Sequence, residues 1–196
     1  MASHRERVLA AAIELVGASG VRSLTHARVD DAAALPKGST SNYFRTRAAL
    51  IAGVIDAIAT AERAELVGGP GAAAERGGAG RVEPETPGDP IAAVVNAMTA
   101  TLLDLTGPHA ARTRARLALF LELAGEPELR APLEAQRREY EVFARGLLVS
   151  LGARDPDAAV RTFMATLDGL ILHRITVDAD APVSAAIDLV LRACLA

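Results

Sequence analysis

The sequence predicts an all-α fold. Apolar residues recur every three or four positions through most of the chain, for example at Leu129, Leu133, Tyr140, Phe143, Leu147 and Leu151, which is the spacing of one face of an α-helix. Capping residues and prolines precede many of these segments. No run alternates apolar and polar residues between hairpin turns, as a half-exposed strand would. We therefore expect about nine helices, with no internal sequence repeat.

The first four helices are predicted from their start and stop signals. Ser3 and Glu6 have the spacing of a capping box. Thr25 can cap a second helix, which the Leu35–Pro36 step ends because proline disfavours helical geometry in the residue before it. A third short helix can start at that proline, and Thr46 can cap a fourth.

Five further helices are predicted after residue 88. Asp89–Pro90 and Asp155–Pro156 each place a capping residue before a proline suited to the first helical position. Ala110–Ala124 forms another helix, a long one ends at Gly152, and Pro182 precedes the last.

Residues 68–90 interrupt this pattern. They hold seven of the sixteen glycines, and their apolar residues do not recur at a helical or strand spacing. We therefore expect a flexible loop. The stretch lacks the Gly-Lys-Ser/Thr sequence of a phosphate-binding loop, which argues against nucleotide binding there.

Charge is unevenly distributed along the chain. The formal net charge is -3, but Met1–Leu50 carries seven basic and four acidic residues, while the remainder has an acidic excess. A positive excess at one end suits local contact with a polyanion.

Several other classes of protein are disfavoured. Glu6 and Glu14 interrupt the first apolar stretch, so we expect no signal peptide, and no apolar run reaches membrane-spanning length. Cys194 is the only cysteine, which excludes an intrachain disulfide and suits a reducing cytoplasm. The four histidines lack metal-ligand spacing. We expect no enzyme activity, no catalytic or metal site and no cofactor.

Residues 25–50 have the layout of a helix-turn-helix: a short helix, a three-residue turn and a second short helix of small polar residues. That second helix, around residues 37–42, has almost no apolar surface to bury. It would be costly in a core but suits the major groove of B-DNA, where small side chains allow close approach. Lys37, the only lysine, lies near its N-terminus.

The segment LPKGSTSNYFRTRAAL resembles the recognition helix and following helix start of the TetR family of transcriptional regulators, including its Tyr-Phe-x-x-basic-x-x-Leu signature. The resemblance spans Arg5–Leu50. Two positions depart from the family pattern. Ala34 replaces the usual turn glycine, so we expect a slightly different turn. Arg47 replaces the usual lysine and keeps its positive charge.

The resemblance implies DNA contacts for specific residues. Lys37, Gly38 and Ser41 would face base edges, and Ser39, Tyr43 and Arg47 would hold phosphates. Thr25 and His26, at the start of the second helix, would add phosphate contacts, and Thr40 is counted among the DNA-binding residues. Phe44 and Leu50 are expected in the core. Tyr43 could instead be a core residue. Arg28 and Arg45 could either contact DNA or simply lie exposed on the surface, and both alternatives stay open.

The rest of the chain must fold around a core of its own. We expect a DNA-binding domain at residues 1–50 and a helical domain at residues 51–196 that dimerises and binds a ligand. The last two helices are apolar over broad arcs, and Gly169 would permit close helix approach. Resemblance to the family implies a four-helix dimer bundle built from these helices. Packing of the same helices within one subunit is the alternative.

Ligand contacts are predicted from the apolar faces of the middle helices. The candidates are Met98, Leu102, Arg116, Phe120, Tyr140, Phe143, Met164 and Asp168. Each has an ordinary packing or surface role as its alternative, since Met and Phe at helical spacing usually pack in a core.

The sequence therefore predicts a homodimeric repressor that binds a pseudo-palindromic DNA operator and is released by a small molecule. The helix from Thr46 to about Leu66 would join the DNA-binding domain to the helical domain that binds the ligand. One alternative is an activator or a ligand-independent DNA-binding regulator. A more remote one is a helical enzyme or scaffold.

Overall fold

A computed structural model of the protein describes residues 3–68 and 89–196. Within these two ranges it contains nine α-helices, one short 3-10 helix at Val21–Ser23 and no β-strand. The all-α prediction is thus confirmed. The helices are α1 (His4–Ser19), α2 (His26–Ala32), α3 (Ser39–Tyr43), α4 (Arg47–Gly68), α5 (Pro90–Thr106), α6 (Ala110–Glu122), α7 (Pro127–Ser150), α8 (Pro156–Thr176) and α9 (Ser184–Leu195).

The predicted caps are present at the starts of several helices. The Ser3 hydroxyl accepts a hydrogen bond from the Glu6 N–H at 3.2 Å, and the Glu6 carboxylate accepts one from the Ser3 N–H at 2.6 Å. These two bonds satisfy donors that the first turn of α1 leaves open. The side chains of Thr25, Asp89 and Asp155 accept hydrogen bonds from backbone N–H groups at the starts of α2, α5 and α8, without the reciprocal bond of a capping box.

The third helix differs from the prediction. It begins at Ser39 and not at Pro36, because Gly38 adopts a left-handed conformation with φ of 90° and ends the turn that precedes the helix. Glycine tolerates this conformation at little steric cost. The predicted loop at residues 68–90 lies mainly outside the described residues: Gly68 ends α4, and Asp89 caps α5.

The chain divides into two compact units. The first is formed by described residues of Met1–Arg63 and His109–Gln136. Its core joins side chains of α1, α2, α4, α6 and α7, including Val8, Val16, Leu24, Val29, Phe44, Leu50, Ile55, Ile58, Leu119 and Leu133. The helix-turn-helix segment therefore shares one core with α6 and the start of α7.

The second unit is formed by described residues of Ala64–Pro108 and Arg137–Ala196. Its core includes Val95, Leu102, Leu148, Phe163, Ile171, Ile187 and Leu191. The unit boundaries fall inside α4 and α7. The boundary predicted at residue 50 separates a DNA-binding domain from a ligand-binding domain, and this functional division stays a prediction. No single helix in the described part of the chain is long and apolar enough to cross a membrane.

Candidate nucleic-acid interface

The turn between α2 and α3 is held from α1. The Arg7 guanidinium donates to the carbonyl oxygens of Ala33 at 2.6 Å and Ala34 at 3.1 Å, just past the end of α2. Carbonyls at a helix C-terminus lack partners within the helix and carry partial negative charge, so an arginine there is favourable. Ala34 itself has φ of +51°. Alanine thus adopts the left-handed conformation that glycine favours.

A buried carboxylate on α2 fixes the start of α3. Oδ2 of Asp30 accepts a hydrogen bond from the Gly38 N–H at 2.7 Å. Oδ1 accepts two, from the N–H of Thr40 at 2.7 Å and from its hydroxyl at 2.6 Å. Asp30 is 2% exposed and Thr40 is fully buried. Because hydrogen bonds to an ionised carboxylate are strong, this contact positions a helix that is only five residues long.

The same contacts determine the ionisation of Asp30. Burial by itself would raise the pKa of this carboxyl group, but the three hydrogen bonds from Thr40 and Gly38, and then the charge of His26, favour the carboxylate and lower the pKa below its ordinary value. Asp30 therefore stays ionised at neutral pH.

The outward side of this segment is polar and exposed. Lys37, Gly38, Ser41, Asn42 and Tyr43 are all exposed, and Tyr43 is 45% exposed. Tyr43 is therefore not a core residue, which was the alternative prediction for it. The phenyl ring of Phe44, in contrast, is buried against Gly53 of α4, as expected for a core residue.

Thr40 departs from the prediction. It was expected among the DNA-binding residues, but its side chain is fully buried and its hydroxyl donates to Asp30. A threonine in this state positions the helix and offers no atom to a nucleic acid.

The predicted phosphate-binding residues lie at the ends of α3 or beside it, and the side chains of four of the five already make hydrogen bonds within the protein. Nε2 of His26 lies 2.6 Å from the carbonyl oxygen of Phe44, and the Ser39 hydroxyl donates to the Pro36 carbonyl at 2.6 Å. The exposed Arg47 donates to the Val21 carbonyl at 2.9 Å. Thr25 is exposed, and its hydroxyl accepts from the Arg28 N–H.

Comparison with known proteins identifies the family. The sequence profile of the tetracyclin repressor-like C-terminal domain matches residues 89–196, more than half of the chain. The chain belongs to the TetR family. A comparison with curated proteins found no match.

Solved structures share the fold of this TetR-family chain. A transcriptional regulator from Rhodococcus sp. Rha1 has a TM-score of 0.72 and 21% identity, over 98% of this chain and 96% of that one. A TetR-family member from Streptomyces coelicolor A3 has a TM-score of 0.67 and 23% identity, over 100% and 99%. The multidrug binding protein EbrR complexed with ethidium has a TM-score of 0.61 and 22% identity, over 98% of each chain.

The eight predicted ligand contacts of this TetR-family protein fall in both units. Leu102 and Met164 are buried in the core cluster of the second unit, and Met98 and Tyr140 are partly buried and pack against that cluster. Phe143 is 41% exposed, and Asp168 accepts a hydrogen bond from the Arg137 guanidinium at 2.5 Å. Arg116 and Phe120 lie in the first unit.

Some residues that hold the site together were missed from the sequence. Asp30 and Arg7 lie 10 and 26 residues from Thr40 and Ala33, and no local pattern reveals such pairs. A buried polar contact in the first unit was missed as well: Gln136 donates to the Glu62 carboxylate at 2.8 Å, and Arg116 lies 3.4 Å from it. Arg116 was predicted from the sequence as a ligand contact, but its pairing with Glu62 was not predicted.

Proposed function

We propose that this TetR-family protein is a cytoplasmic, sequence-specific DNA-binding repressor that leaves its operator when a small molecule binds. The observation that carries the proposal is α3: one side is fixed to α2 through Thr40 and Asp30, and the other side exposes Ser41, Asn42 and Tyr43, each with a hydrogen-bonding group. Such a helix has the size and chemistry to enter the major groove.

The residues divide into two roles on DNA. Lys37, Gly38 and Ser41 lie on the exposed side of the segment and would contact base edges. Phosphates would be held by two residues at the ends of α3, Ser39 and Tyr43, and by three residues outside it, Thr25, His26 and Arg47. Phosphate contacts fix the register of a protein on the duplex. The internal hydrogen bond of Arg47 leaves other guanidinium donors for a phosphate, whereas the single hydroxyl donor of Ser39 would have to leave the Pro36 carbonyl to reach one. The internal bonds orient the side chains of Arg47, Ser39 and His26.

The active form would be a homodimer through α8 and α9. Ala165, Gly169 and Leu172 lie on one exposed side of α8, at helical spacing, and Ala185 and Leu189 lie on the exposed side of α9. Leu172 is 51% exposed and Leu189 is 72% exposed. Within the described residues, a Cβ at Gly169 would meet no atom within 4 Å apart from its chain neighbours and the backbone of its own helix. Small and apolar residues on an uncovered surface favour close packing against a second copy.

Two-fold symmetry determines the operator that such a dimer would bind. Each subunit would present one α3, so the operator would be pseudo-palindromic, with half-sites about 34–36 Å or a multiple of that apart.

The effector would bind in the helical domain. Met98, Leu102, Tyr140 and Met164 bring apolar and aromatic groups together in the second unit. EbrR, which has a similar fold, has been crystallised with ethidium. Aromatic residues are only 3% of this chain, which disfavours a pocket that binds planar drugs mainly by stacking.

Release from DNA requires that the effector prefer one of two conformations. We propose that the DNA-binding state has one spacing of the two α3 helices and that the effector favours another. The connecting element would be α4, 22 residues long, which begins beside the helix-turn-helix and continues into the second unit. An effector with equal affinity for both states would release nothing.

Selection from random-sequence duplex DNA tests the proposal. We expect the purified protein to enrich one inverted repeat, and a gel shift to show weaker binding as salt rises, because phosphate contacts release counterions. Binding of all sequences alike would contradict sequence-specific recognition.

Two variants then test the residue roles. Lys37→Ala should weaken operator binding and relax the preference at one base pair by about 1–3 kcal/mol, while Tyr43→Phe should weaken binding to all sequences similarly. Arg138→Ala, an exposed basic residue of α7, is the control and should bind as the original protein does.

A further inference from the structure

We infer that Asn42 reads an adenine in the operator, as a specificity-determining residue of α3. The inference rests on the proposed function, since it assumes that α3 enters the major groove. It adds a base contact that neither the sequence pattern nor the resemblance assigned.

The geometry of α3 gives Asn42 the most outward position. Successive residues of an α-helix are rotated by about 100°, and Thr40 faces the protein interior. Ser41 and Tyr43 therefore lie on the two sides of the helix, whereas Asn42 lies about 200° from Thr40, almost opposite the buried contact. A residue in this position approaches the floor of a groove most closely.

Space around Asn42 is open on the side where its carboxamide would lie. Helical side chains lean toward the N-terminus of their helix, over the residue four positions earlier. For Asn42 that residue is Gly38, whose carbonyl accepts the Asn42 N–H at 3.3 Å. Gly38 has no side chain, and a Cβ placed there would meet nothing within 4 Å. Gly38 therefore places no side chain between Asn42 and a base edge on that side.

The chemistry of the side chain selects the base. Asn42 is exposed, and its carboxamide makes no hydrogen bond within the described part of the chain. A carboxamide offers one donor and one acceptor side by side, which matches N7 and N6 of adenine in the major groove. His26 and Ser39, in contrast, already bond to backbone carbonyls.

The anchored backbone makes this contact specific. Gly38 and Thr40 are bonded to the same Asp30 carboxylate on either side of Ser39. The turn that carries Asn42 is therefore fixed before DNA arrives, and only the side-chain torsions of Asn42 need to be ordered on binding.

Operator selection with Asn42→Ala tests the inference. We expect the original protein to enrich an inverted repeat with adenine at one position of each half-site, and Asn42→Ala to lose preference at that position alone. Because each half-site loses one contact of about 1–3 kcal/mol, affinity for the original operator should fall by about 30-fold or more. Asn96→Ala, at an exposed position of α5, is the matched control and should select the unchanged operator.

Replacing that adenine by 7-deaza-adenine, which lacks the N7 acceptor, distinguishes a direct contact from an indirect effect. The modified base should weaken binding of the original protein at least several-fold and leave Asn42→Ala unaffected. Equal losses for both proteins would overturn the inference. An unchanged operator preference for Asn42→Ala would do so as well. If the original protein enriches no operator at all, the proposed function fails first.

Discussion

The backbone N–H and the hydroxyl of Thr40 both donate to Oδ1 of Asp30, at 2.7 and 2.6 Å. One carboxylate oxygen of α2 therefore fixes the first turn of α3, and Oδ2 holds Gly38 beside it. These contacts lie on the protein side of α3, opposite the surface that we assign to DNA.

Asp30→Asn should destabilise the protein in a pH-dependent way. Substitution removes a charged acceptor from buried donors, so we expect a loss of about 1.5–3 kcal/mol at neutral pH. The folded pKa of Asp30 lies below its ordinary value, so its contribution is complete above about pH 4 and is lost as the pH falls through the folded pKa. Urea unfolding from about pH 7 down to about pH 2.5 measures both effects.

The control for this prediction is Asp31→Asn. Asp31 is the exposed neighbour on α2, and its substitution should change stability by less than about 0.5 kcal/mol. A stability difference between the original protein and Asp30→Asn that stays constant down to the lowest pH would contradict the role given to the carboxylate.

Gly17→Ala should destabilise the first unit. A Cβ at this position of α1 would lie inside van der Waals contact with the carbonyl oxygen of Ala111, and 2.9 Å from its carbonyl carbon. Both are backbone atoms of α6, so one helix must shift, at a cost of about 1–3 kcal/mol. Denaturant unfolding monitored by circular dichroism measures the loss.

Gly146→Ala provides the comparison for that experiment. Gly146 is a glycine of α7 whose added Cβ would meet nothing within 4 Å, so alanine should stabilise the helix by up to about 1 kcal/mol. Stabilisation by both alanines would show that α1 and α6 are not in close contact in solution.

Ala34→Gly should stabilise the turn before α3. The left-handed conformation of Ala34 costs an L-residue about 1–2 kcal/mol, and glycine avoids that cost while losing more entropy on folding. We expect a net gain of about 0.5 kcal/mol in thermal unfolding. Ala52→Gly, at an exposed interior position of α4, should lose about 1 kcal/mol instead. Equal losses at the two sites would argue against a left-handed Ala34.

Leu172→Glu together with Leu189→Glu should separate the proposed dimer without unfolding its subunits. Both side chains are at least half exposed in one chain, so glutamate is tolerated there, but each would bury an unpaired charge in the proposed interface. The cost should exceed about 2 kcal/mol, or about thirtyfold in the dissociation constant. Sedimentation equilibrium measures it. Leu121→Glu, 80% exposed on α6, should leave the association state unchanged.

The helix pattern could be predicted from sequence because its signals are local. Ser3 with Glu6, and Asp89 before Pro90, need only the residues of one turn to determine where a helix begins. The exposed Lys37, Gly38 and Ser41 were likewise predicted, since small polar residues in a short helix have no core to join.

The contacts that position the site could not be predicted, because they join distant residues. Thr40 has the same small polar character as Ser41, and only the fold shows that one points to Asp30 and the other to solvent. The start of α3 was wrong by three residues for a similar reason, since the left-handed turn at Gly38 depends on the same carboxylate. The paired state of Arg116 depends on Glu62, 54 residues away.

A helix as short as α3 has little stability of its own, and it owes its shape to Asp30 on the neighbouring helix. If α3 reads DNA as proposed, folding and the choice of DNA target are therefore determined by different residues of this protein. Lys37, Ser41 and Asn42 can be randomised together while Asp30 and Thr40 are kept. Under the proposed function, such a library would yield regulators that share one scaffold and differ in the promoters they recognise.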